Sequence, residues 1–157
     1  GGAVFVPALN GLGAPWWEPN AVGTLTGLSV RTGREQIARA GLESVAHQIC
    51  DVIDVMDPDG AMTLLHAGGG ATKSELLMQL QANLLGRELL VAAVADISPV
   101  GAAALAARAL GYEPQPSALA ARSFHPSADF SLERRAAERA RWRDALTRAG
   151  VRPSSNQ

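Results

Sequence analysis

Three consecutive glycines, Gly68-Gly69-Gly70, stand between an apolar run and a helix start, at Leu64 to Leu80. Glycines at the end of a strand let the backbone approach a bound molecule closely. The helix beyond them offers unpaired N–H groups and a partial positive charge. In an open α/β sheet, ligands bind at the carboxyl ends of strands. Nucleotide binding is one reading of this pattern. The other is a tight turn that needs small residues and binds nothing. Two phosphate loops with known signatures do not fit. Ala67–Ser74 reads AGGGATKS, with alanine and Thr72 where the P-loop GxxxxGK[ST] has its glycines. The dinucleotide fingerprint GxGxxG would need a glycine at Lys73, the only lysine of the chain.

The remaining chemistry-bearing residues are scattered. His47, His66, His125 and the single cysteine, Cys50, show no metal-ligand spacing. Ser44, Ser74 and Ser98 lack the strand–turn–helix context of an activated nucleophile. No residue is therefore assigned a catalytic role. Asp51 and Asp54 lie one helical turn apart, and the spacing predicts a solvated helix face. Trp16 and Trp17 are adjacent in a loop rich in glycine and proline. Such a pair either pins the loop to the body or forms an aromatic wall beside a ligand or a domain interface.

The elements that must position these residues alternate between strand and helix. Ala3–Leu9 reads as a short strand, at an edge because Pro7 cannot donate to a ladder. Thr32 and Glu35 form a capping box. Ile37, Gly41, Val45, Ile49, Val52 and Met56 then recur at helical spacing, which predicts a helix over 34–56, stopped by Asp57-Pro58-Asp59-Gly60. Ala61–Ala67 reads as a buried strand. Thr72 and Glu75 form a second capping box, and the helix after it ends at Gly86. Glu88–Val94 is another strand. Ser98-Pro99 reads as N-cap and first helical residue of an Ala-rich helix ending near Leu110, before Gly111. Residues 113–130 read as an irregular crossover and 131–150 as a terminal helix with a solvated charged face. The tail, 151–157, is expected to be disordered. The order strand–helix–strand–helix with short links is that of parallel α/β units. There is no internal repeat.

Composition sets limits on partners. The chain has 157 residues, a net charge of −1 and 47% hydrophobic residues, as expected of one domain of ordinary size. Near-zero charge argues against a nucleic-acid binder or a polybasic membrane attachment. No apolar run approaches the roughly 20 residues of a membrane helix. Gly1–Pro7 has no basic region of the kind that opens a signal peptide. A single cysteine excludes an internal disulfide. The expectation is a cytoplasmic α/β protein.

Four stretches, in order, resemble the FGGY family of carbohydrate kinases, which includes glycerol kinase and xylulokinase. They are Val4–Gly27 (VFVPALNGLGAPWWEPNAVGTLTG), Gly23–Glu43, Leu65–Gly86 (LHAGGGATKSELLMQLQANLLG) and Asp96–Gly111 (DISPVGAAALAARALG). Together they cover residues 4–111. The sequence departs from the family pattern at Val22, Gly41, Ser74 and Pro99. The Trp16-Trp17 loop is more similar to glycerol kinases, whereas Lys73-Ser74 is more similar to xylulokinases. The resemblance implies an actin-like ATPase fold of the ribonuclease-H type, here incomplete, with a short, mainly parallel sheet flanked by helices. Residues 1–112 would be part of the C-terminal nucleotide-binding domain.

The resemblance also implies ATP as the nucleotide, with Mg2+ bound alongside it through ligands mostly outside this chain. Gly69, Gly70, Ala71 and Ser74 are its implied contacts. The family's catalytic aspartate, in a GDQ-type motif, has no counterpart here, nor do its other phosphate loops. The chain is therefore expected to carry the adenosine side of a kinase that phosphorylates glycerol or a related polyol or ketose, and to be inactive alone. The alternative is a non-catalytic actin-like module that binds nucleotide or a partner chain. With few strands, a free sheet edge is expected to favour self-association.

Overall fold

The computed structural model describes residues 2–93, 97–114 and 120–152. The element order is β1 (Val4–Val6), β2 (Thr24–Thr26), α1 (Arg34–Met56), β3 (Leu64–Ala67), α2 (Glu75–Leu85), β4 (Glu88–Ala92), α3 (Ile97–Ala109), β5 (Ala120–Phe124) and α4 (Leu132–Arg148). The chain divides into two compact units. The first comprises residues 1–61 with 128–157, the second 62–127.

In the first unit β1 and β2 form an antiparallel ribbon, with Phe5 opposite Leu25. A core of Val6, Ala8, Leu12, Ala21, Trp142, Ala145, Leu146, Ala149 and Val151 joins β1, the loop after it and α4. Trp16 packs against this core, whereas Trp17 is 75% exposed and holds φ at +48°, a region that residues other than glycine seldom adopt. The pinning role therefore belongs to Trp16 alone. Helix α1 keeps the expected bounds but starts differently. Gly33 is its N-cap, and its N–H donates to Gln36 Oε1 at 2.9 Å, while Thr32 Oγ1 accepts from Ser29 N–H instead. Thr32 and Glu35 thus do not form the expected box.

The face of α1 packed inside the unit is also not the expected aliphatic one. It is Ala40, Ser44, Ala46, His47, Cys50, Asp51 and Ile53. Ile37, Val45, Ile49 and Met56 are exposed. Periodicity finds an apolar stripe but does not say which neighbour covers it. The tail expectation needs correction at Val151, which is a core residue; residues 153–157 lie outside the described ones.

In the second unit β3 pairs parallel with β4, with His66 opposite Leu90, and β5 pairs antiparallel with β4, with Leu89 opposite Phe124. The sheet order is β3-β4-β5. Among the described strands one pairing of three is parallel, where a mainly parallel sheet is expected. Strand β5 lies within the segment expected to be irregular; residues 115–119 of that segment lie outside the described ones. Its formation follows from the pairing offered by β4, not from local composition. Along β3, Leu65 and Ala67 are half-buried and Leu64 and His66 exposed, the period-two pattern of a strand covered on one face rather than buried. Helix α2 ends at Gly86, whose φ of +67° is the left-handed C-cap. Helix α3 runs from Ile97, so Ser98 and Pro99 lie inside its first turn rather than capping it.

Candidate functional site

Strand β3 delivers the chain to Gly68, and parallel pairing with β4 fixes the direction in which it leaves the sheet. Each of the three glycines meets a different demand. A side chain at Gly68 would overlap Ile97 of α3, so this position is glycine because a helix packs on it. Gly69 has φ +104°, a conformation that disfavours any side chain. Among the described residues Gly70 has neither constraint: a Cβ placed there meets none of them within 4 Å. A single 3-10 turn, Gly70–Lys73, follows. Thr72 is buried, and its hydroxyl donates to the Gly69 carbonyl at 2.8 Å, closing the loop.

Ser74 is the N-cap of α2. Its Oγ accepts from Leu77 N–H at 3.3 Å, and Ser74 N–H donates to the Ala71 carbonyl at 3.1 Å. The expected box at Thr72 and Glu75 is therefore absent, and the N-cap falls two residues later, because Thr72 turns back to Gly69. The Ser74 hydroxyl retains its own proton for donation. Gly69, Gly70, Ala71 and Ser74 lie together on this loop and turn, within six residues of chain. Lys73 and Ala71 are exposed beside them.

Of two residues that sequence reading passed over, Arg122 holds the turn and Gln79 ties α2 to the chain after β5. From β5, Arg122 Nη2 donates to the Thr72 carbonyl at 2.9 Å and Nη1 to Glu75 Oε1 at 3.2 Å. Gln79 of α2 places Nε2 2.8 Å from the His125 carbonyl and 3.0 Å from Asn83 Oδ1. Arg122 reaches Thr72 across 50 residues of sequence, and no local motif signals it. Among the described residues no group of three His, Cys, Asp or Glu side chains is placed to hold a metal ion.

The first unit contains a second polar cluster, and its state differs. Asp51 is buried, 4% exposed, not on a solvated face as its spacing predicts. Its Oδ2 accepts from the indole N–H of Trp16 at 2.9 Å and of Trp142 at 2.8 Å, and its Oδ1 from Arg139 at 2.7 Å. Arg139 also pairs with Asp54 at 2.7 Å and donates to the His47 carbonyl. His47 stacks on Trp142, ring centroids 5.0 Å apart and nearly parallel. Burial, together with the nearby charges of Arg139 and Arg141, lowers the His47 pKa to about 3. Arg139 Nη1 lies 3.4 Å from His47 Nδ1, and a guanidinium only donates, so a neutral ring with Nδ1 accepting suits this contact. Every polar member of the cluster has a partner within it, and the arrangement is structural.

Residues 1–110 match the FGGY family of carbohydrate kinases, C-terminal domain. A glycerol kinase of Alkalilimnicola ehrlichii is 46% identical over 96% of this chain, which covers 31% of that protein. An apulose kinase of Pectobacterium atrosepticum is 41% identical over 98% of the chain, which covers 32% of it. Among solved structures, Plasmodium falciparum glycerol kinase with ADP superposes at a TM-score of 0.76, 26% identical, over 97% of this chain and 31% of that one. Ligand-bound xylulose kinase from Lactobacillus acidophilus does so at 0.77, 25% identical, over 92% and 31%. The chain belongs to the FGGY family of carbohydrate kinases and has its actin-like fold. It spans about a third of the length of the relatives it matches.

Proposed function

We propose that the loop at Gly69 and Gly70, with Ala71 and Ser74, holds the adenosine end of ATP in a kinase that phosphorylates a hydroxyl of glycerol or a related polyol or ketose. The observation that carries this reading is the open flank of Gly70. Among the described residues nothing needs a glycine there, since a side chain would meet none of them within 4 Å and φ is outside the left-handed region. A ligand lying flat against the backbone does need one. Gly69, equally open but left-handed, continues the same surface. Ser74, at the start of α2, offers a hydroxyl proton beside N–H groups that favour a negatively charged or electron-rich ligand.

Phosphoryl transfer consists mostly of positioning and charge neutralisation around the γ-phosphate and its magnesium. In this reading Mg2+ arrives with the nucleotide and takes its ligands mainly from the remainder of a kinase. The chain by itself then binds and does not transfer. The outer edge of β3 pairs with no other described strand, and in the same reading it supports self-association at high concentration.

Thermal unfolding followed by circular dichroism, with and without millimolar Mg-ADP, tests the site. Ligand at 100 times its Kd adds about 2.7 kcal/mol, a visible rise in Tm. Gly70→Val should melt like the parent without nucleotide and lose the rise with it. A Gly70→Val variant that responds normally removes the assignment, as does a parent chain that ignores the nucleotide. Lys73→Ala should keep the response; its loss would favour a P-loop-like role for the lysine instead.

A further inference from the structure

Trp17 has no part in the core, yet the loop that carries it is fastened. Leu12 and Glu18 exchange backbone hydrogen bonds of 2.9 and 3.0 Å across that loop, and the Trp17 N–H donates to the Gly13 carbonyl at 2.9 Å. The loop thus presents a large exposed indole from a left-handed backbone position, a strain of the kind that collects at binding sites. Beside it, within the first unit, lies a cavity of about 430 Å³, lined by both tryptophans, Asp51, Asp54 and three arginines. That volume is ordinary for a small-molecule site.

The three arginines are not equivalent. Arg139 is engaged by Asp51 and Asp54, each at 2.7 Å. Arg143 and Arg152 are exposed, and among the described residues neither guanidinium has an ion pair or a hydrogen bond. Three guanidiniums against two carboxylates leave the lining net positive, with its unspent donors on Arg143 and Arg152. A guanidinium presents a planar fork of donors that matches a carboxylate or a phosphate. An indole face takes a flat ring.

We propose that this cavity binds a small planar organic anion, its ring on Trp17 and its charged group on Arg143 and Arg152. A phosphate monoester carries about two negative charges near neutral pH and suits two guanidiniums better than a carboxylate does. The site lies wholly in the first unit and does not depend on nucleotide binding at the glycine loop.

Isothermal titration calorimetry at neutral pH and low salt, with phenyl phosphate, benzoate, inorganic phosphate and phenol, tests the proposal. Phenyl phosphate should bind with a Kd below about 1 mM, and inorganic phosphate and phenol, lacking the ring or the charge, at least about tenfold more weakly. Arg143→Gln, Arg152→Gln and Trp17→Ala should each weaken phenyl phosphate at least about fivefold, with Tm within about 2 °C of the parent, since all three side chains are exposed. Arg148→Gln, at a guanidinium paired with Asp144 outside the cavity, should change nothing. Gly70→Val should bind phenyl phosphate as the parent does, which separates this site from the glycine loop. Benzoate binding more tightly than phenyl phosphate would support the site and place its ligand among carboxylates. A parent chain that binds neither phenyl phosphate nor benzoate at about 10 mM overturns the proposal. So does inorganic phosphate or phenol binding as tightly as phenyl phosphate, or binding that survives all three cavity substitutions.

Discussion

Asp51 in the first unit, whose spacing predicts a solvated helix face, and Gly70 in the second, whose glycine run suggests a ligand, resolve in opposite ways. Asp51 receives two indole N–H groups and a guanidinium, each within 3 Å, and both its oxygens are engaged. At Gly70 no described residue lies within 4 Å of the place a side chain would take. Partnering separates the two: a buried polar network whose members all have partners holds the fold together, whereas the open flank of Gly70 supports the proposed ligand surface. The two units therefore differ in what they stabilise. The first is organised around its own tryptophans, the second around a loop braced from outside by Arg122 and Ile97.

The contrast is easiest to break at Asp51. Asp51→Ala leaves two indole N–H groups without an acceptor and takes from Arg139 its buried partner, leaving Asp54 and the His47 carbonyl, and should cost about 3–5 kcal/mol. Urea unfolding followed by tryptophan fluorescence checks it, since Trp16, Trp17 and Trp142 all belong to the first unit. A loss below about 1 kcal/mol would mean the network is not what holds that unit.

In the second unit, Gly68→Ala should cost about 1–3 kcal/mol, because its methyl group overlaps Ile97. A circular-dichroism melt equal to the parent's would show that α3 yields freely.

A third test uses protons. His47 has a native pKa near 3 against an ordinary 6.5, so the unfolded chain binds the proton first as pH falls. The contribution is intact above pH 6.5 and declines below it towards pH 3, by up to about 1.4 kcal/mol per pH unit. Urea midpoints measured across that window should show this slope, and His47→Phe should flatten it.

The smallest effect is expected at Gly41, in the middle of α1, where a Cβ meets nothing within 4 Å. Gly41→Ala should stabilise the chain by about 0.5–1 kcal/mol. A lower Tm would reveal a neighbour that the open stripe conceals.

Elements bounded by local chemistry were legible in the sequence. Helix α1 has the expected limits of 34 and 56, and Gly86 ends α2, because caps and stop signals act within a few residues. The cap at Ser74 was read two residues early, since both Thr72 and Ser74 can serve and only the turn to Gly69 decides. What was illegible is non-local. Asp51 meets its indole partners 35 and 91 positions away, so its burial has no signature in i, i+3 spacing. Strand β5 and Arg122 acquire their roles from pairing with β4 and from a turn 50 residues upstream. For the candidate site, the glycine run and helix start were visible as a pattern. The separate reasons for Gly68, Gly69 and Gly70 were not, because they depend on a helix side chain, a backbone angle and an empty space respectively.

Cys50 lies on the packed face of α1 with about 1% of its surface exposed, and it is the only cysteine of the chain. Its sulfur is thereby a clock for one unit. A thiol reagent reaches it only after α1 leaves its packing, so the rate of modification under native conditions measures how often the first unit opens. The second unit contributes no signal to that rate, and the lifetime of the fold around Trp142 becomes separable from events at the glycine loop.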